Sequence, residues 1–265
     1  MKKPLGSNHF RIVSLAPSAT SILCTIGARN FLVGVTKWCS EVAPVGTLPQ
    51  LGDCWHMDSV KHILKLKPSL VIGSVPYKQE TVAKLLEHPI NFLAMNPRTL
   101  ADIANDIRML GGIVNRVPRA ERLVHCMRTD LAAISARCRT TKKKLRVYCE
   151  AWPRPRISSP PWVAELVEIC GARMVLPSGE KVTDEQVAQA RPDLIVLAWA
   201  ATGDRAKAEA AYGVAAWSDL PAIRKKRVFV ISDELLNTPG PPLIAGAKQL
   251  FRIFQETRLQ ERTKC

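Results

Sequence analysis

A chain of 265 residues, 47% of them hydrophobic and 23% charged, is long and apolar enough to bury one large core or two smaller ones. No stretch reaches the roughly 18–20 apolar residues of a membrane-spanning helix, which excludes membrane insertion by that route. The net charge of +15 favours anions in general, but the basic residues are scattered and neither a zinc finger nor an aromatic RNA-binding strand accompanies them, so no specific nucleic-acid partner is expected.

MKKPLGSNHF opens with two lysines, as a secretory leader does, but Pro4, Gly6, Ser7, Asn8 and His9 stand where a leader has its apolar stretch. The expectation is a cytoplasmic protein without a signal peptide, with the periplasm as the alternative. Eight cysteines (24, 39, 54, 126, 138, 149, 170 and 265) form no C-x-x-C pair and read as reduced, mostly buried residues, in keeping with that compartment. Ile12–Leu15 predicts a short core strand. Pro17-Ser-Ala-Thr20 then opens a helix whose free N–H groups suit a carboxamide or phosphate oxygen. Leu32-Val-Gly-Val-Thr36 predicts a second strand, with Trp38 and Cys39 just past its carboxyl end. Gly52-Asp-Cys-Trp-His-Met-Asp58 follows as a loop before a helix that starts near Ser59, and Leu64–Ser74 reads as a helix end, a stop at Pro68 and a buried strand.

From Pro118, apolar side chains at Ala120, Leu123, Val124, Met127, Leu131, Ile134 and Cys138 fall at spacings of three and four. They predict one helix of about 20 residues, roughly 30 Å long, with a single buried stripe. The basic run Arg137–Arg146 ends it, where cations complement the helix dipole. Lys144-Leu-Arg-Val-Tyr-Cys149 opens a second half like the first, and Trp152 follows its strand. Thr183-Asp-Glu-Gln186 is a capping box, and Val187–Leu197 repeats the helix, proline and strand order around Pro192, with Trp199 beyond. Short apolar strands alternating with helices predict an α/β protein with parallel sheets. The division is residues 1–115 as a first lobe, 116–141 as a long rigid connecting helix and 142–265 as a second lobe. Trp38, Trp152 and Trp199 all lie past the carboxyl ends of predicted strands, where open α/β sheets bind ligands.

The loop at 52–58 admits several chemistries. A zinc site would draw on Cys54 and His56 with Cys39 and Asp53, although no paired spacing supports it. Nucleophilic catalysis through Cys54 and His56 lacks a third orienting group, and the chain has no GxSxG, HExxH or Walker lysine motif.

Taken in order, Arg11-Ile-Val-Ser-Leu-Ala-Pro-Ser-Ala-Thr20, Leu32–Thr36, Leu48-Pro-Gln-Leu-Gly52, Leu66–Ile72, Trp162–Gly171 and Pro239-Gly-Pro-Pro-Leu243 resemble the Fe/B12 periplasmic-binding family, and within it the cobalamin-binding branch. The resemblance implies two Rossmann-like lobes joined by one long helix, little hinge closure, and a non-enzymatic monomer holding its ligand in the cleft between the lobes. The implied ligand is cobalamin or a related corrinoid. A ferric siderophore or haem, met by Lys37, Arg154 and Arg156, is the alternative in the same fold, and a Cys/His metal-binding protein or enzyme is the alternative of another class.

Trp55 matches the aromatic residue that packs on the corrin in that branch. Trp38-Cys-Ser-Glu-Val-Ala-Pro44 resembles an aromatic-Cys-Asp-Tyr-Pro-Pro segment but lacks its tyrosine, and Glu150–Arg156 resembles a second ligand-facing segment with Trp152 as its aromatic. On this reading Trp38, Cys39, Trp55, His56 and Met57 form one wall, with Asp53 or Asp58 accepting from corrin amides. Trp152, Trp199, Asp233 and Glu234 form the other, and His56 is a candidate axial ligand of cobalt. Secreted members carry a glutamate that docks to arginines of an ABC permease. Lys61 stands in that place here, and with the leader absent the chain resembles relatives that bind a corrinoid inside the cell.

Overall fold

The computed structural model describes residues 10–57, 60–139, 144–202 and 206–262. The chain divides into two compact units, one of residues 1–97 with 101–125 and one of residues 98–100 with 126–265.

In the first unit β1 (Ile12–Ser14) leads into α1 (Pro17–Thr25), with Pro17 in the first turn, where a missing N–H costs nothing. Then come β2 (Leu32–Thr36), α2 (Cys39–Val42), β3 (Gln50–Leu51), α3 (Val60–Lys65) and β4 (Leu70–Ser74). The unit continues through α4 (Gln79–Leu86), β5 (Phe92–Met95) and α5 (Leu100–Ile113). The sheet order is β3-β2-β1-β4-β5 and every pairing is parallel, as the alternation of short apolar runs with helices predicts. β1 is the middle strand; Ile12 and Val13 are wholly enclosed. On one face Val13, Leu15, Ile63, Val71 and Leu85 pack into a core that Cys54 joins.

The long helix is α6 (Val117–Cys138), 22 residues against the expected 20. Ala120, Val124, Met127, Ile134 and Cys138 are buried as the period requires, while Leu123 and Leu131 are half-buried.

The second unit is built on β6 (Leu145–Pro153), a nine-residue strand. β7 (Arg156–Ser158), α7 (Pro161–Ile169), β8 (Ala172–Met174), α8 (Asp184–Ala190) and β9 (Leu194–Leu197) follow it. The chain ends in α9 (Glu209–Tyr212), α10 (Pro221–Arg224), β10 (Val228–Val230), α11 (Asp233–Leu236) and α12 (Leu243–Arg262). The order is β10-β9-β6-β7, with β8 also paired to β6. The capping box forms: Thr183 Oγ1 accepts from the Gln186 amide at 3.2 Å, and Gln186 Oε1 accepts from the Thr183 amide at 2.8 Å.

One expectation is corrected. Trp152 lies within β6, not beyond its end, because the strand continues to Pro153, turns over Arg154–Pro155 and returns antiparallel as β7. The parallel reading holds for the other pairings of this sheet.

Candidate functional site

Each lobe presents its candidate residues separately, beginning with the loop between β3 and α3. Gly52 lets that loop fold on itself: a Cβ there would stand 2.4 Å from the His56 carbonyl oxygen and 2.8 Å from Met57 Cα. Asp53 Oδ1 accepts from the backbone amides of Trp55 and His56, at 2.8 and 2.7 Å, and the Asp53 amide donates to the His56 carbonyl at 2.8 Å. The Lys78 amide donates to the Cys54 carbonyl at 3.0 Å, and Thr81 Oγ1 donates to that of Trp55 at 3.3 Å. This bracing turns Cys54 inward at 2% exposure and holds Trp55 outward at 49%. His56 is exposed beside it; Met57 is half-buried against the core. Asp58 and Ser59 lie outside the described residues, so the amide-acceptor role expected of Asp58 does too.

The thiols do not gather. Cys54 Sγ fills the space over Gly73, where a Cβ would approach it to 2.5 Å, and burial with help from Asp53 pushes its pKa up to about 12. Cys39 is fully enclosed, its sulfur 3.1 Å from Thr20 Oγ1 and 3.2 Å from Thr36 Oγ1, and burial raises its pKa as well. Both are buried and packed in place, so the zinc and nucleophile readings lose accessible sulfurs. Asp53 Oδ1 serves the loop's own amides. Trp38 is half-buried, with Lys37 Nζ 4.4 Å from its ring centroid.

In the second lobe Trp152 is 40% exposed, and its indole N–H donates to the Arg154 carbonyl at 2.9 Å. Behind it lies a cluster that composition and motif leave unseen. Glu150 is wholly buried, and Arg156 Nη1 reaches its two oxygens at 3.2 and 2.9 Å. The carboxylate also accepts from the Tyr148 hydroxyl and the Trp199 indole N–H, each at 2.8 Å. Arg156 Nε pairs with Asp184, and its guanidinium lies 4.2 Å from the Trp217 ring centroid. Arg156 is therefore spent inside the lobe, which corrects the expectation that it is available to an anionic chelate. The one signal in the sequence is a carboxylate at Glu150 within an apolar strand. Trp199 is half-buried, anchored by that carboxylate. Asp233 Oδ2 accepts from the Ala201 amide at 3.1 Å and Glu234 accepts from the Ser232 hydroxyl, so both acids hold the loop after β9 and the start of α11. Lys61 is exposed on α3.

The family model for periplasmic binding proteins matches residues 12–235. An ABC transporter substrate-binding lipoprotein of Bacillus subtilis is 28% identical over 260 residues, covering 93% of this chain and 81% of its own. A vitamin B12-binding protein of Vibrio parahaemolyticus is 25% identical over 258 residues, covering 94% and 90%. Among solved structures, the periplasmic haem-binding protein of Roseiflexus sp. RS-1 superposes with a TM-score of 0.80 over 94% of this chain and 98% of its own, at 22% identity, which shows the shared fold. The lipoprotein relative overturns the cytoplasmic expectation and points to an extracytoplasmic location. The leader reading rested on residues 1–9, which lie outside the described residues.

Proposed function

The chain belongs to the periplasmic binding protein family, whose members bind solutes without chemistry on them, and from that premise we propose that its ligand is a corrinoid that stacks on exposed indoles. The observation that carries this is Trp55, half exposed on a loop whose backbone is fixed by its own hydrogen bonds. Trp152 offers the same kind of surface in the second lobe. An indole so placed costs solvation free energy until a flat apolar partner covers it. Covering on the order of 100 Å² per ring contributes about 2.5 kcal/mol at 25 cal/mol per Å². Haem and ferric siderophores are the competing cargo. Against them stands the loss of Arg156 to Glu150 and Asp184, which removes one of the three cations that an anionic chelate would use.

Titration of the purified chain with cyanocobalamin, cobinamide, haemin and a ferric siderophore, followed by tryptophan emission, tests the cargo. Saturable quenching by the corrinoids at one equivalent is the expected result. Quenching by haemin or the siderophore alone overturns the proposal.

A further inference from the structure

The same loop holds a metal-capable side chain that stacking does not use. Resting on the corrinoid reading above, we infer that His56 is an axial ligand to the cobalt of the bound corrinoid, exchanging its imidazole nitrogen for a coordinated water. Of the donors in Gly52–Met57, Asp53 is consumed by the Trp55 and His56 amides, Cys54 is buried over Gly73, and Met57 packs into the core. His56 is exposed, and among the described residues its imidazole makes no hydrogen bond or ion pair. Asp53 binds the amides of Trp55 and His56 through one oxygen, so the backbone that carries the indole and the imidazole is held in one short turn. Gly52 makes that turn possible, since any Cβ would strike the His56 carbonyl. A flat ring lying on Trp55 then meets a loop whose next residue carries an exposed imidazole, the ligand type that late first-row metals favour. The exchange needs no electron: the imidazole lone pair forms the Co–N bond as the Co–O bond to water breaks, and the water departs.

The experiment compares aquocobinamide, whose axial water exchanges, with dicyanocobinamide, whose axial sites are both filled by cyanide. Each is titrated against the parent chain and the His56→Ala and His56→Gln variants. Emission quenching reports binding, and the visible absorption of the corrinoid reports coordination. The parent is expected to prefer the aquo form and to shift its absorption on binding. Both variants lose the shift, and the preference for the aquo form falls by no less than the roughly 10–100-fold that loss of an outer-shell partner costs a metal site. Quenching by the aquo form with the same absorption in parent and variants overturns the His56 assignment while the corrinoid reading stands. Absence of quenching by either form overturns the corrinoid reading itself.

Discussion

Replacing Glu150 by glutamine tests whether the indole platform of the second lobe rests on a buried charge. The carboxylate is wholly enclosed and meets Arg156, whose side chain is only 15% exposed, together with the Tyr148 hydroxyl and the Trp199 indole. Glutamine keeps the shape but turns one acceptor oxygen into an N–H donor, so one of these three donors is left facing another donor. Breaking a buried pair costs about 3–5 kcal/mol, and a buried donor left unpaired about 1–3 kcal/mol. Arg156 retains Asp184 and its stacking on Trp217, which places the expected loss at the low end, about 3 kcal/mol. At roughly 2–4 °C per kcal/mol the second lobe should melt about 6–12 °C lower, read by circular dichroism with tryptophan emission alongside. A Glu150→Met, Arg156→Met double variant removes both charges and should recover part of that loss. Melting of Glu150→Gln within about 1 °C of the parent would refute the claim that this pair is desolvated and structural.

Trp55→Ala and Trp152→Ala should each weaken corrinoid binding by about 2 kcal/mol, roughly 30-fold, in the fluorescence titration; changes under threefold would deny either ring a place in the site. Asp106 on α5 leaves one carboxyl oxygen buried without a partner, and burial, reinforced by Asp102, pushes its pKa up to about 6. The folded chain thus holds a proton that the unfolded chain has released, so stability is full below about pH 4 and declines as the pH rises through 6. Asp106→Asn should raise stability near pH 7 by about 1 kcal/mol after solvent screening, and a parent–variant difference in Tm that does not grow between pH 4 and 7 contradicts this. Alkylation near pH 8 should label exposed Cys126 quickly and spare Cys54 and Cys170, each pushed up to about 12 by burial; peptide mass spectrometry reads the order, and early labelling of Cys54 would show that its loop opens.

The fold was legible because its cues are local and periodic. The three- and four-residue spacing after Pro118 marks a helix in any context, and Pro68 and Pro192 stop helices whatever surrounds them. β6 shows the limit of that logic. A strand was expected to stop where the apolar run met Glu150, yet a buried guanidinium from the returning strand satisfies the charge, and pairing extends to Pro153. Such compensation joins residues that only the hairpin brings together. The roles of Asp53 and Arg156 were hidden for the same reason: each is polar and near an indole, and only coordinates show which hydrogen bonds and ion pairs it makes. The cysteines misled on compartment because a buried thiol over Gly73 or between Thr20 and Thr36 is chosen for volume and carries no information about redox surroundings.

The division of labour around the indoles bears on selectivity. Asp53, Glu150 and Arg156 are spent on bracing, so the loop of Trp55 and the Trp199 ring are held before any ligand arrives and little ordering remains there to oppose binding. What such a surface offers a guest is apolar area with few formal charges. An iron chelate bearing several carboxylates would lose its hydration there with little return, whereas a macrocycle edged by neutral amides gives up less and covers the rings as well. If that balance decides the ligand, restoring a free cation beside Trp152 should move preference toward anionic chelates without any change in the indoles. The Asp184→Asn variant loosens one hold on Arg156 and is the smallest change that tries it: haemin affinity should rise relative to cobinamide, and an unchanged ratio would place the selectivity elsewhere.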